Sequence, residues 1–257
     1  MLAGRTVGGG KMTTLPRWRK AQEYEQNFWR NLESKIEAGT IRQLNWYSWR
    51  ASELERRLSQ YLVERGKTAN RILEIGAGPI GIVNFLEWGE RFAVDPLEDF
   101  YRQSSTLTKL RKPGVAYLQG SGEDLPYADR FFSLVIIDNV LDHTHAPYNV
   151  LQEIYRVLDI NAFLCFAVNI RTTWGAIVHK LLAALCIDKG HPHTFTKESI
   201  RDLLKASHFK IRAEEIEDYH KVRQRYLHST IVRDKIKGYT GISEFLYHAI
   251  CQKATTR

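Results

Sequence analysis

Apolar side chains recur at helical spacing through the first quarter of the chain. In "SWRASELERRLSQYLVERG", Leu54, Leu58, Tyr61 and Leu62 share one face, with Ser52 as the expected cap and Gly66 as the stop. Upstream, "AQEYEQNFWRNLESKIEAG" reads as a second amphipathic helix that ends in glycine. Both helices precede the first strand, so they are expected on the sheet edge or over its mouth. From residue 71 the pattern changes. Short apolar runs, "RILEIG", "RFAVD", "VAYLQG", "SLVIID" and "AFLCFAV", alternate with helical stretches "IGIVNFLEWG", "LEDFYRQSSTLTKL" and "APYNVLQEIYRVL". In the last of these Val150, Leu151, Ile154, Val157 and Leu158 share one face. Continuously apolar strands separated by helices predict an α/β, doubly wound, Rossmann-like sheet, mostly parallel and covered on both sides.

The pattern changes once more near the C-terminus. After a helix "TKESIRDLLKAS" come "HFKIRAEEIED" and "EFLYHAICQKA", two strands expected to form an antiparallel hairpin at the sheet edge, which makes seven strands in all. A basic segment, 219–241, separates them. The stretch "WGAIVHKLLAALCI" is the most apolar in the chain, but His179 and Lys180 interrupt it, and no run reaches the ~18–20 residues of a membrane span. A helix over 174–186 places Ile177, Val178, Leu181, Leu182 and Leu185 on one side, which suits core packing, with a lid over an apolar acceptor or a membrane-surface contact as lesser readings.

Composition narrows the class. With 257 residues, 44% hydrophobic and 26% charged, the chain suits one α/β domain with extra helices. Residues 1–15 lack the apolar centre of a signal peptide and read as a flexible tail. Three cysteines, Cys165, Cys186 and Cys251, show no CxxC or CxxxC spacing, which argues against disulfides or structural zinc and for a cytoplasmic location. The net charge of +8 permits a polyanionic partner, but the basic residues are dispersed among acids and apolar positions.

The candidate chemistry centres on "RILEIGAGPIGIVNFL", where Gly76-x-Gly78-x-x-Gly81 meets the spacing of a dinucleotide fingerprint. Glu74 sits two residues before Gly76, where a carboxylate would repel a pyrophosphate but would orient a cationic amino acid. Asp95 ends the second strand, placed to accept hydrogen bonds from two ribose hydroxyls, a role that suits NAD equally well.

"LEIGAGPIG" resembles the first motif of class I S-adenosylmethionine-dependent methyltransferases: an acid, one residue, then Gly-x-Gly. "YLQGSGEDLPYADRFFSLVIIDNVLDH" is similar to their third-to-fourth strand region, "VLQEIYRVL" to the helix that follows, and "HPHTFTKESIRDLLKASHFKI" to their approach to the sixth strand. The resemblance runs from about residue 71 to 212 and is nearest the type 11 group, which includes ubiquinone, menaquinone and other small-molecule methyltransferases. It implies S-adenosylmethionine as cofactor, with Glu74, Gly76, Ala77 and Gly78 around its methionine part. Asp95 would hold the ribose, Pro96 and Leu97 would lie beside the adenine, and Gly122 and Glu123 at the adenine edge. Asp138 and Asn139 would stand near the amino group. The family often carries aspartate where this chain has Ser121, so adenine N6 would meet the Ser121 hydroxyl, a backbone carbonyl or Glu123. Asn161 replaces a usual glycine before the fifth strand and is expected in the left-handed conformation. The implied organisation is a tail over 1–15, a helical lid over 16–66, and a methyltransferase domain over 67–257 with 219–241 inserted between the last two strands.

The expected reaction is methyl transfer to a small-molecule acceptor, most simply a hydroxyl oxygen. Candidate bases come from "DHTHAP" (His143, His145) and "GHPHTF" (His191, His193), with His143 and His193 preferred. A metal site built from both His-x-His pairs has no matching carboxylate pattern, and no metal is expected. Phe28, Trp29, Trp46, Tyr47, Tyr148 and Trp174 are available to line the acceptor pocket. Rival readings are a nucleic-acid or protein acceptor, a nicotinamide-dependent oxidoreductase, and a non-catalytic cofactor-binding subunit. Against nucleic acid, the chain lacks an Asn/Asp-Pro-Pro-Tyr motif and a Pro-Cys nucleophile. The N-terminal helices and the basic insertion offer surfaces for a homodimer.

Overall fold

The computed structural model describes residues 13–41, 44–64, 71–184 and 190–254. Gly66, Leu185, Cys186, residues 1–12 of the expected tail and the side chain of Leu62 lie outside the described residues. Seven strands form one sheet: β1 (Arg71–Ile75), β2 (Glu90–Asp95), β3 (Val115–Gln119), β4 (Phe132–Asp138), β5 (Leu158–Ile170), β6 (Phe209–Ile216) and β7 (Phe245–Lys253). Their order is β3-β2-β1-β4-β5-β7-β6. The first five pair in parallel, and β7 inserts antiparallel between β5 and β6, as the alternating and then paired apolar runs predict. Strand order reverses between β1 and β4, so the carboxyl ends of those strands open a crevice there.

Helices cover both faces. On one, α5 (Pro147–Val157) and α7 (Lys197–Ala206) bury Leu151, Ile154, Leu203 and Leu204 with Val135 and Leu164. Thr196 caps α7 by accepting from the Ser199 amide. On the other face lie α1 (Leu15–Glu37) and α2 (Asn45–Glu64). For the second half of α2 the structure corrects the expectation of an edge or mouth position, while α1 and the start of α2 border the crevice. Leu54, Leu58 and Tyr61 of α2 join Ile72, Leu134, Ile136 and Phe163 in one buried cluster, with the Tyr61 and Phe163 rings 5.4 Å apart. The helix therefore lies across the sheet face. Ser52 is not its cap: α2 begins at Asn45, and the Ser52 hydroxyl bonds back to the Ser48 carbonyl within the helix.

A second correction follows from the first. The expected helix over "IGIVNFLEWG" is a single 3-10 turn, Val83–Phe85. Ile80, Ile82, Val83 and Leu86 are buried with Leu54 and Leu58, so α2 occupies the sheet face that a helix there would cover. The turn is pinned instead by side chains: Glu74 takes the Val83 amide and Asn84 takes the Lys112 amide. Likewise "LEDFYRQSSTLTKL" divides into α3 (Glu98–Arg102) and α4 (Ser105–Thr108), because the Ser104 hydroxyl caps α4 at the Leu107 amide. Asn161 adopts φ 58° as expected. The basic insertion forms α8 (Tyr219–Leu227) and α9 (Val232–Thr240), joined by Arg223 donating to the Gly238 carbonyl at 2.8 Å. One further helix, α6 (Thr173–Ala184), follows β5.

Candidate active site

The glycine loop leaves β1 through Gly76 (φ 70°) and Gly78 (φ 63°), conformations that favour glycine. The protein itself also demands glycine at both. A Cβ on Gly76 would stand 2.3 Å from a Val140 methyl, and one on Gly78 would stand 2.6 Å from the Tyr47 hydroxyl. That hydroxyl donates to the Ala77 carbonyl at 3.3 Å, so α2 is fastened onto the loop. Close approach by neighbouring side chains selects the small residue at both positions.

Two acids organise this loop. Asp95, at the end of β2, accepts the Gly78 amide on Oδ2 and the Leu97 amide on Oδ1, each at 2.8 Å. Burial pushes its carboxyl up to about 7, against the pull of those two amides. Glu74 is more deeply buried, and its Oε2 accepts the Val83 amide at 2.9 Å. Burial pushes its carboxyl up to about 8, with Asp138 adding to the rise and the Val83 and Ile82 amides and Arg50 opposing it.

Further along the crevice, the Ser121 hydroxyl donates to the Glu123 carboxylate. Glu123 Oε1 in turn accepts the His145 and Ala146 amides at 2.8 and 3.1 Å, tying the loop after β3 to the start of α5. Asn139 follows β4 with φ 58°, and its amide donates to the Ala167 carbonyl at 2.8 Å. Asp138 Oδ1 lies 3.3 Å from an Arg50 guanidinium nitrogen but has no hydrogen-bond partner, which leaves a buried acceptor available.

All twelve residues expected to hold the cofactor line one cavity of about 550 Å3, within the ordinary range for small-molecule sites. Phe28, Trp29, Trp46 and Tyr47 line it too, brought there by α1 and α2. Tyr148 and Trp174 are not among its lining residues. Tyr148 is exposed on α5, while Trp174 is exposed and donates to the Thr240 carbonyl at 3.0 Å. Aromaticity makes both of them candidates, but it does not encode which way a side chain points.

The histidines separate in the same way. His143 and His191 line the cavity, with rings 4.7 Å apart. His193 is not in its lining: its buried Nε2 sits 2.9 Å from the Thr144 carbonyl, its ring stacks on Phe195, and burial lowers its pKa. Asp142, which sequence reasoning passed over, puts Oδ1 3.8 Å from His143 Nε2. Among the described residues, the grouping that could hold a cation is thus Asp142, His143 and His191, with ligand atoms within 4.8 Å of one another, and not the two His-x-His pairs. Donors held around one zinc ion at ~2.0–2.2 Å lie closer together than that. Arg50, Glu25 and Tyr101 also line the cavity and carried no motif. Helical phase could have flagged Arg50, which stands one turn before Leu54 on the buried side of α2.

Residues 73–166 match the methyltransferase domain family. The matched methyltransferase domain runs from β1 into β5 of the seven-stranded sheet with its antiparallel C-terminal hairpin. Among known proteins, it is 29% identical over 130 residues to an uncharacterized methyltransferase of Schizosaccharomyces pombe, covering 46% of each chain. It spans about half the length of that curated relative. A SAM-dependent methyltransferase from Thermotoga maritima superposes with a TM-score of 0.55 at 16% identity, over 93% of this chain and all of that one (100%). The YcgJ protein of Bacillus subtilis gives 0.53 at 14% identity, over 78% and 100%. At these identities the structural likeness is one of fold.

Proposed function

We propose that the protein transfers a methyl group from S-adenosylmethionine to a hydroxyl oxygen of a small-molecule acceptor. The observation that carries this reading is the continuity of one cavity whose wall holds the glycine loop and its carboxylates together with seven aromatic side chains and two imidazoles. The residues present suit the cofactor. Asp95 keeps lone pairs beyond its two backbone bonds for the ribose hydroxyls. Asp138 Oδ1, paired in charge with Arg50 but accepting no hydrogen bond, suits an ammonium group, and the Ser121–Glu123 pair suits the adenine edge.

When bound, S-adenosylmethionine supplies an electrophilic methyl on a sulfonium, open to in-line displacement. Phe28, Trp29, Trp46 and Tyr47 exclude water and hold the acceptor so that few orientations remain. The His143 imidazole takes the hydroxyl proton as the acceptor oxygen attacks, and Asp142 Oδ1, 3.8 Å from Nε2, stabilises the imidazolium that forms. In this assignment His193 is a structural residue, and Tyr148 and Trp174 take no part in acceptor binding.

Calorimetric titration with S-adenosylhomocysteine, with NADH and NADPH titrated in parallel, tests the cofactor. Micromolar binding of the first and silence from the other two is the expected result. Binding of a nicotinamide nucleotide alone overturns the reading.

A further inference from the structure

Two helices at the rim of the fold turn apolar side chains outward. Trp174, Ile177 and Leu181 on α6, and Val232, Ile236 and Tyr239 on α9, are between 52% and 73% exposed. Their spacing puts each set on a single stripe. The opposite sides of the same helices are packed: Ala176 and His179 of α6 are buried, and so is Gly238 of α9. The two helices adjoin where Trp174 Nε1 donates to the Thr240 carbonyl at 3.0 Å. Both stripes are exposed on helices that adjoin at this contact.

Among the described residues, exposed basic side chains border this face. Arg233 and Lys235 are exposed and flank the α9 stripe on its two sides, and Lys180 is exposed beside the α6 stripe. The one acid within α9, Asp234, is half-buried and accepts from the Ser229 hydroxyl at 3.1 Å. An apolar centre with a cationic rim is the pattern of a helix that lies in a bilayer interface, with lysine and arginine at the level of the headgroups. No helix among the described residues is long and apolar enough to cross a membrane, so contact through these helices is confined to the surface. α6 begins three residues beyond the carboxyl end of β5, at the same end of the sheet as the cavity.

We propose that the α6–α9 face docks on the surface of an anionic phospholipid bilayer. A second copy of the chain is the weaker occupant. A two-fold contact through this patch would bring the same basic rim against itself, on a chain that already carries a net charge of +8. The docking surface stands independently of the methyl-transfer reading.

The test is co-sedimentation of the full chain with phosphatidylcholine vesicles, with and without phosphatidylglycerol. Binding is expected only to the phosphatidylglycerol-containing vesicles and weakens as salt is raised. Arg233→Gln with Lys235→Gln lowers the partition coefficient about 25-fold, since each basic residue near an anionic surface contributes about 5-fold. Ile236→Ser with Tyr239→Ser lowers it as well. All four positions are exposed, so melting temperature and circular dichroism remain those of the wild type. No binding at low salt, or equal binding by the charge variant, overturns the proposal. So does a dimer in light scattering that Ile236→Ser converts to monomer, because the face would then be an interface between copies.

Discussion

A guanidinium nitrogen of Arg50 lies 3.3 Å from Oδ1 of Asp138, so helix α2 reaches across the crevice to the carboxyl end of β4. The pair is partly exposed, and its own contribution to stability is about 1 kcal/mol or less. Its consequence is for binding. In the proposed reading, Arg50 orients the carboxylate offered to the cofactor's ammonium group. Arg50→Ala is expected to raise the S-adenosylhomocysteine dissociation constant by about 3–10-fold, equivalent to roughly 0.7–1.4 kcal/mol, with little change in melting temperature. Unaltered affinity by calorimetry would show that Asp138 is oriented without it.

Gly78 and Tyr47 form the second testable contact. Gly78→Ala combines a positive φ with a methyl 2.6 Å from the Tyr47 hydroxyl, and a loss of about 1–3 kcal/mol is expected. For a domain of this size that lowers the melting temperature by about 2–12 °C. Adding Tyr47→Phe removes the clash and leaves the φ strain, so the double variant is more stable than the sum of the single changes. Strict additivity in the double-mutant cycle would deny the contact.

Glu74 supplies a pH signature. Its folded-state carboxyl, held up to about 8 chiefly by burial, binds a proton more tightly than the unfolded chain does, where the ordinary value is 4.5. Stability of the ligand-free protein therefore falls as pH rises through this window, and the effect saturates near pH 8. Asp95 contributes in the same direction between 3.8 and about 7. Glu74→Gln should flatten the upper part of the profile in thermal melts taken across that range. A variant that keeps the full wild-type slope between pH 7 and 8 would place the titration elsewhere.

His143 separates proton transfer from cofactor binding. His143→Ala is expected to lower turnover by about 100- to 10,000-fold while S-adenosylhomocysteine affinity stays near that of the wild type. Asp142→Asn gives a smaller loss, because it removes only the charge behind the imidazole. Turnover should survive dialysis against a chelator. Loss of activity on chelation, restored by a divalent cation, would instead assign Asp142, His143 and His191 to a metal.

Much of the crevice was legible in the chain because its chemistry is local. The acid, the glycine loop and the strand-end carboxylates each sit at the end of a short apolar run, and a parallel sheet brings all such ends to one edge. Glu74, Asp95, Ser121 and Asp138 converge for that reason. The late apolar runs likewise specify the edge hairpin, since β6 and β7 are antiparallel and joined through the basic insertion.

Other features depend on which surface each element meets, and periodicity leaves that open. Apolar spacing made α2 a helix with one buried side. Only packing laid it across the sheet face, displaced the helix expected after β1, and carried Tyr47 and Arg50 into the cavity. His143 and His193 are two residues from equivalent His-x-His motifs, yet one faces the cavity and the other bonds a backbone carbonyl inside the protein. Asp142 became part of the site because the segment carrying His191 folds back beside the end of β4, a contact across some fifty residues of chain. The sequence by itself determined the α/β sheet and its glycine-loop crevice, because those follow from residues adjacent along the chain. The aromatic wall, the Arg50–Asp138 pair and the choice among histidines were decided by tertiary structure, because they follow from contacts between elements remote in sequence.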